Sequence, residues 1–123
     1  MGDLTKSFSK HEFACDCCGY FKDTMQFRRF VKLLQYARDA TCQPFIINSG
    51  FRCKQNNKDI GGSPDSAHLS GIAADIKTSD STERFKILRA LITCGFSRIG
   101  IYDAHIHVDV DYNNKPNKII WKK

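Results

Sequence analysis

No apolar run in this 123-residue chain approaches the length needed to cross a bilayer. No membrane role is expected. The opening stretch, MGDLTKSFSKHEF, lacks the extended apolar segment of a secretory leader, so synthesis in the cytoplasm is expected. Internal repeats and low-complexity tracts are missing, which excludes solenoids and disordered linkers. There is also no RNA-binding signature, zinc-finger spacing or block of like charge. The balance of 19 Lys and Arg against 13 Asp and Glu leaves a formal charge of +6. That charge favours polyanions, but the basic residues are scattered, so a solvated basic surface is expected and no nucleic-acid partner. The length points to one domain, residues 1–123, with a single core, expected to be a monomer.

Cysteine, by contrast, is plentiful: six residues, three of them in CDCCG (Cys15, Cys17, Cys18). Without a leader, disulfides are not the default. Cys94 falls in an apolar helical pattern and reads as a small buried hydrophobe. The Cys15–Cys18 cluster, with Cys53, could hold a structural zinc or a disulfide. Its spacing fits no standard zinc motif, and free or partly buried thiols are the expectation.

The patterning alternates helices with short strands. SKHE (Ser9 to Glu12) has capping-box spacing for a short helical turn. DTMQFRRFVKLLQYARDA carries Phe27, Phe30, Val31, Leu34 and Ala37 at helical spacing, led by Asp23. PFIIN (Pro44 to Asn48) reads as a buried strand, and residues 49–66 as a long loop of the kind that often carries function. GIAADIK (Gly71 to Lys77) reads as a strand. STERFKILRALITCG reads as a second helix capped by Ser81 or Thr82, with Phe85, Leu88, Leu91 and Ile92 inside and Gly95 as terminator. RIGIY and HIHVDV should pair as a hairpin. NNKP (Asn113 to Pro116) should turn the chain into a last strand, KIIW. The expected fold is α+β: a small antiparallel sheet packed against two main helices.

The stretch Asp103–Val110, DAHIHVDV, alternates strictly. As a strand it places Asp103, His105, His107 and Asp109 on one face and the apolar residues on the other. His68 stands seven residues before Asp75, where the loop enters the GIAADIK strand. If that strand lies beside HIHVDV, His68, Asp75 and either His105 or His107 can converge. Two imidazoles and a carboxylate with one open position suit a catalytic zinc, which activates water at neutral pH.

SGFR (Ser49 to Arg52), SAHLSGIAADI (Ser66 to Ile76) and HVDV (His107 to Val110) together resemble the zinc D-Ala-D-Ala carboxypeptidase family. These are peptidoglycan peptidases of the group that also includes lysostaphin-type enzymes and hedgehog domains. Ser66, His68, Gly71, Ala73 and Asp75 match the pattern Ser-x-His-x2-Gly-x-Ala-x-Asp at every specified position. The likeness extends to FSKHEFACDCCG, to IINSGFRC and to the Trp near the end. It is similar to small phage and prophage members.

The resemblance implies a hedgehog-like fold with Zn2+ held by His68, Asp75 and His107. Arg52 would bind a carboxylate or carbonyl of a peptidoglycan stem peptide, a natural partner for a guanidinium fork, and Ser66 would orient substrate or a ligand. The family's catalytic carboxylate commonly stands three residues before the last histidine, where this chain has Ala104. The base is therefore open among Asp103, His105 and Asp109, in that order. His105 would also stabilise the oxyanion, and Asp109 would support a ligand imidazole. The expected activity is a carboxypeptidase or endopeptidase of the cell wall, in a phage or prophage lysis or virion-associated protein. The competing expectation is a zinc domain of hedgehog-like fold that binds a cell-wall or protein partner without cutting it.

Overall fold

The computed structural model describes residues 2–113 and 115–123. Its three α-helices are α1 (Met25–Thr41), α2 (Lys54–Asp59) and α3 (Ser81–Thr93). The five strands are β1 (Ile47–Ser49), β2 (Ala73–Lys77), β3 (Arg98–Ile101), β4 (His105–Asp109) and β5 (Ile119–Lys122). Two 3-10 turns, Lys10–Phe13 and Ala67–Ser70, complete the order. Among the described residues no helix is long and apolar enough to cross a membrane.

Helix α1 starts one residue later than Asp23 leading it would imply. Thr24 is the cap, its hydroxyl accepting the Phe27 N–H at 3.0 Å, while Asp23 pairs with Arg28 on the surface. Phe27, Phe30, Val31, Leu34 and Ala37 are all buried, as their spacing predicts. They pack with Ile87, Ala90 and Leu91 of α3 and with Ala74, Ile76, Ile99, Ile106 and Val108 of the sheet. Truncating any of the larger ones to Ala costs about 2–5 kcal/mol. The N-terminal segment joins this core through Phe8 and Phe13, which stack edge-on toward Phe27 at 5.8 and 5.5 Å in sequence.

Helix α3 departs from expectation in phase. Its cap is Asp80, accepting from Glu83 N–H at 2.8 Å, rather than Ser81 or Thr82. Phe85 is 61% exposed and Ile92 48%. The buried stripe runs through Ile87, Ala90 and Leu91, and Phe85 sits two residues from Ile87, on the far side of the helix. The stretch 49–66 is not one loop, because α2 and the approach to the second 3-10 turn lie within it. Helix α2 is short and polar (KQNNKD), with no apolar period to betray it. Cys94 is only half-buried.

The sheet order is β1-β2-β4-β3-β5. β1/β2, β2/β4 and the β3/β4 hairpin are antiparallel, but β5 runs parallel to β3, so the sheet is mixed rather than antiparallel. After β4 the chain crosses over and takes the outer edge of β3, which reverses the sense of pairing there. The turn expected at Asn113–Pro116 contains Asn114, which lies outside the described residues.

Candidate metal centre and cleft

Strand register builds the site. Asp75 on β2 faces His107 on β4 directly, and Ser49 of β1 lies on its other side. A bulge between Ile47 and Ser49 re-aims the end of β1, so that Gly50 and Arg52 follow onto the same edge. His68 comes from the 3-10 turn before β2, where Ser66 caps the turn by accepting the His68 backbone N–H at 3.2 Å.

Three side chains converge. His68 Nε2 and His107 Nδ1 lie 3.2 and 3.1 Å from the same atom, Asp75 Oδ1. Their donor atoms all fall within 4.8 Å of one another, and all three side chains are largely withdrawn from solvent. Each is oriented from behind. His68 Nδ1 donates to the Gly50 carbonyl at 2.6 Å, since that oxygen can only accept. His107 Nε2 meets Asp109 Oδ2 at 2.7 Å, and Asp109 Oδ1 in turn accepts from Arg98 Nε at 2.7 Å. Asp75 Oδ2 accepts from Arg52 Nη2 at 3.0 Å, while Arg52 Nε donates to Ser49 Oγ at 3.1 Å.

These contacts set the charges of the metal-free protein. Burial pushes the His68 imidazole down and outweighs the Asp75 carboxylate. Burial also disfavours the His107 cation, but its bonds to Asp109 and Asp75 win and raise it. Burial pushes Asp75 up, yet the His107 imidazole foremost, with the His68 ring beside it, holds it far below the usual carboxylate range. Asp109 is lowered against the same burial cost by His107 and Arg98.

Neutral His68 with its proton on Nδ1 points the Nε2 lone pair at a carboxylate oxygen 3.2 Å away. Two acceptors facing one another call for a cation between them. Donors bound at about 2.0–2.2 Å around a tetrahedral ion sit about 3.3 Å apart, which matches the 3.1 and 3.2 Å seen here. The residues fit a metal.

A family model of peptidase M15 matches residues 6–111. The chain belongs to the peptidase M15 family. A comparison with curated protein sequences finds no match. Membership in this family of typically metal-dependent peptidases accords with the donor set of His68, Asp75 and His107.

In this M15 protein the three donors open onto a cleft of about 460 Å³. Arg52, Ser66, His105 and Asp109 line it as well. His105 Nε2 is 3.8 Å from Asp75 Oδ2, and its ring stacks on Tyr102 at 4.5 Å, nearly parallel at 12°. Asp103 does not join them. It is exposed at the hairpin tip, where its carbonyl accepts from Arg84, and it is not part of the cleft wall. Alternation carries a side chain to the His107 face only within the strand. β4 begins at His105, and the turn that closes Tyr102 N–H onto the His105 carbonyl at 3.0 Å breaks the period before it reaches Asp103.

Several cleft residues escaped the sequence reading. Arg98 anchors Asp109 and lies over the Trp121 ring at 5.3 Å. Trp121 packs on His107 at 5.4 Å and donates to the Tyr102 hydroxyl at 3.3 Å. Gly100, opposite His107 in β3, makes room for that indole: a Cβ there would stand 2.5 Å from Trp121 Nε1. Lys123 and Lys115, the latter paired with Asp111 at 3.0 Å, also line the cleft.

Proposed function

We propose that the chain is a zinc-dependent peptidase that cuts the stem peptide of peptidoglycan, as a D-Ala-D-Ala carboxypeptidase or an endopeptidase, acting on the cell wall as a phage or prophage lysis or virion-associated protein. The observation that carries this reading is the shared Asp75 Oδ1 between two imidazole nitrogens at 3.1 and 3.2 Å, at the floor of a cleft. His68 Nε2, Asp75 Oδ1 and His107 Nδ1 would hold the ion. When bound, zinc supplies a Lewis acid for the scissile carbonyl and acidifies the attacking water.

The chain's own groups do the rest. Arg52, which lines the cleft and also pairs with Asp75, offers a guanidinium to a substrate carboxylate or carbonyl. His105 is the proposed proton carrier. Its Nε2 faces the cleft beside Asp75, and stacking on Tyr102 fixes its plane. It takes the proton from the attacking water and returns it to the leaving amine. Asp109 and Arg98 hold His107 in the tautomer that leaves Nδ1 for the metal. Ser66 fixes the backbone at His68.

One observation favours the second reading, a zinc domain that binds without cutting. Position 104 is alanine and Asp103 stands outside the cleft wall, so no carboxylate occupies the family's usual place for the base. The test is mass spectrometry of peptidoglycan and of a stem pentapeptide after incubation with zinc-loaded and chelated protein. Loss of a terminal D-Ala, or an internal cut, seen only with zinc is the expected result. Zinc-loaded protein that releases no product from either substrate would favour the binding domain.

A further inference from the structure

A second group of metal-type donors lies outside the cleft. The Sγ atoms of Cys15, Cys17, Cys18 and Cys53 all fall within 4.8 Å of one another. Two of the pairs stand at 3.6 Å (Cys15–Cys17) and 3.3 Å (Cys17–Cys53). A tetrahedral tetrathiolate with bonds of about 2.3 Å has its sulfurs about 3.8 Å apart. Those two pairs lie close to that spacing, and all four sulfurs are near enough to share one central ion. We infer that these four cysteines form a structural metal site, a closed tetrathiolate for zinc or a similarly thiophilic divalent ion.

The backbone is arranged for it. Residues 15–20 form a tight loop, closed by Cys15 N–H to the Tyr20 carbonyl at 2.7 Å and Gly19 N–H to the Cys15 carbonyl at 2.8 Å. That loop turns three sulfurs toward one point. The fourth comes from Cys53, the cap of α2, brought alongside by Phe51 N–H donating to the Phe13 carbonyl at 2.8 Å. Gly50 permits this approach, because a Cβ there would lie 2.6 Å from Phe13 Cα. Two sulfurs already accept backbone N–H groups: Cys15 from Cys53 and Cys53 from Asn56, each at 3.4 Å. Such bonds stabilise thiolate ligands. One disulfide would use two of the sulfurs and leave the other two beside it, whereas a metal uses all four.

The site has a purpose in the fold. Cys53 directly follows Arg52, and Gly50 supplies the carbonyl that orients His68. A metal on Cys53 and the N-terminal loop therefore clamps the one segment that serves both the anchoring arginine and a histidine of the cleft. The ion's ligands span 38 residues, so its binding energy adds to that of folding.

The experiment uses the full chain carrying His107→Ala, which disables the cleft donors, purified without oxygen and titrated with Co2+. The expected result is one bound ion per chain, with the strong sulfur-to-cobalt charge-transfer absorption of a tetrathiolate. In the zinc-loaded protein, Cys15, Cys17, Cys18 and Cys53 should resist iodoacetamide while exposed Cys42 reacts. Cys18→His should keep the ion with altered bands, and Cys53→Ser should lose the charge-transfer absorption. Absence of that absorption in the parent, full alkylation of the four cysteines with metal present, or a Cys17–Cys53 disulfide in the reduced preparation would overturn the inference.

Discussion

The protein carries two clusters of metal-type donors at the two ends of one short segment, Gly50–Cys53, and they are built on different plans. The His68/Asp75/His107 cluster has three donors, sits at the floor of a cleft, and has each ligand braced by another residue: Gly50 for His68, Arg52 for Asp75, Asp109 for His107. The Cys15/Cys17/Cys18/Cys53 cluster has four donors, with Cys17 and Cys18 exposed. It is braced by local turns, and its residues line no part of the cleft. Three donors with an open side and oriented ligands are the plan of a catalytic ion. Four donors that close the coordination sphere are the plan of a structural one. The difference teaches that donor count and bracing assign a role before any ion is seen.

The largest effect should come from crossing the two clusters. His107→Ala should abolish zinc-dependent hydrolysis while leaving the thiolate ion in place. Cys17→Ser should do the reverse, losing the thiolate ion while keeping zinc in the cleft and hydrolysis lowered rather than abolished. Metal content and product mass spectrometry on both variants check the pair, and a Cys17→Ser protein as dead as His107→Ala would erase the distinction.

Within the cleft, the proton carrier should separate from its neighbour on the same hairpin. His105→Ala should lower kcat by about 10²- to 10⁴-fold with zinc retained, and Asp103→Asn should change it by no more than about twofold, as an exposed group away from the reacting atoms would. Steady-state kinetics decide this. A large loss in Asp103→Asn would move the base to the hairpin tip.

A smaller effect belongs to the bracing. Asp109→Asn should weaken zinc binding or turnover by about 10- to 100-fold, measured by competition with a chelating dye. A variant that binds zinc as tightly as the parent would make Asp109 a mere partner of Arg98.

The clusters were unequally legible in the sequence, for physical reasons. Residues of a strand announce their shared face by alternation, so the polar wall of β4 and the His107–Asp109 relation could be read directly. His68 and Asp75 came from a motif whose spacing the 3-10 turn and β2 preserve. Asp103 was misplaced because alternation continues on paper through a turn that ends it in space. Arg98 carried no signal, because an arginine at the start of an apolar strand reads as an exposed end; Trp121 was marked only by the resemblance, and its place follows from the crossover that lays β5 along β3 and brings the indole over His107. The cysteine cluster was visible as composition, but its closure depends on a long-range contact between Phe13 and Phe51 that no local pattern encodes.

The smallest effect is on acid stability of the metal-free protein. Asp75 and Asp109 both hold their carboxyls below the ordinary value of 3.8, so in acid the unfolded chain takes up protons that the folded one refuses. Their contribution is present in full above that value and is lost progressively as pH falls from it through the lower folded-state values. Urea unfolding of metal-free protein should therefore show lower stability at about pH 3 than at about pH 5, and Asp75→Asn should flatten the difference. Equal dependence in parent and variant would mean that the cleft carboxylates are not what acid attacks.

The most direct test of the central claim is the anomalous scattering of zinc in crystals of the zinc-loaded protein. The expected result is a zinc peak bonded to His68 Nε2, Asp75 Oδ1 and His107 Nδ1 in the cleft. A map with no zinc peak among those three atoms, from crystals whose protein contains zinc, would contradict it.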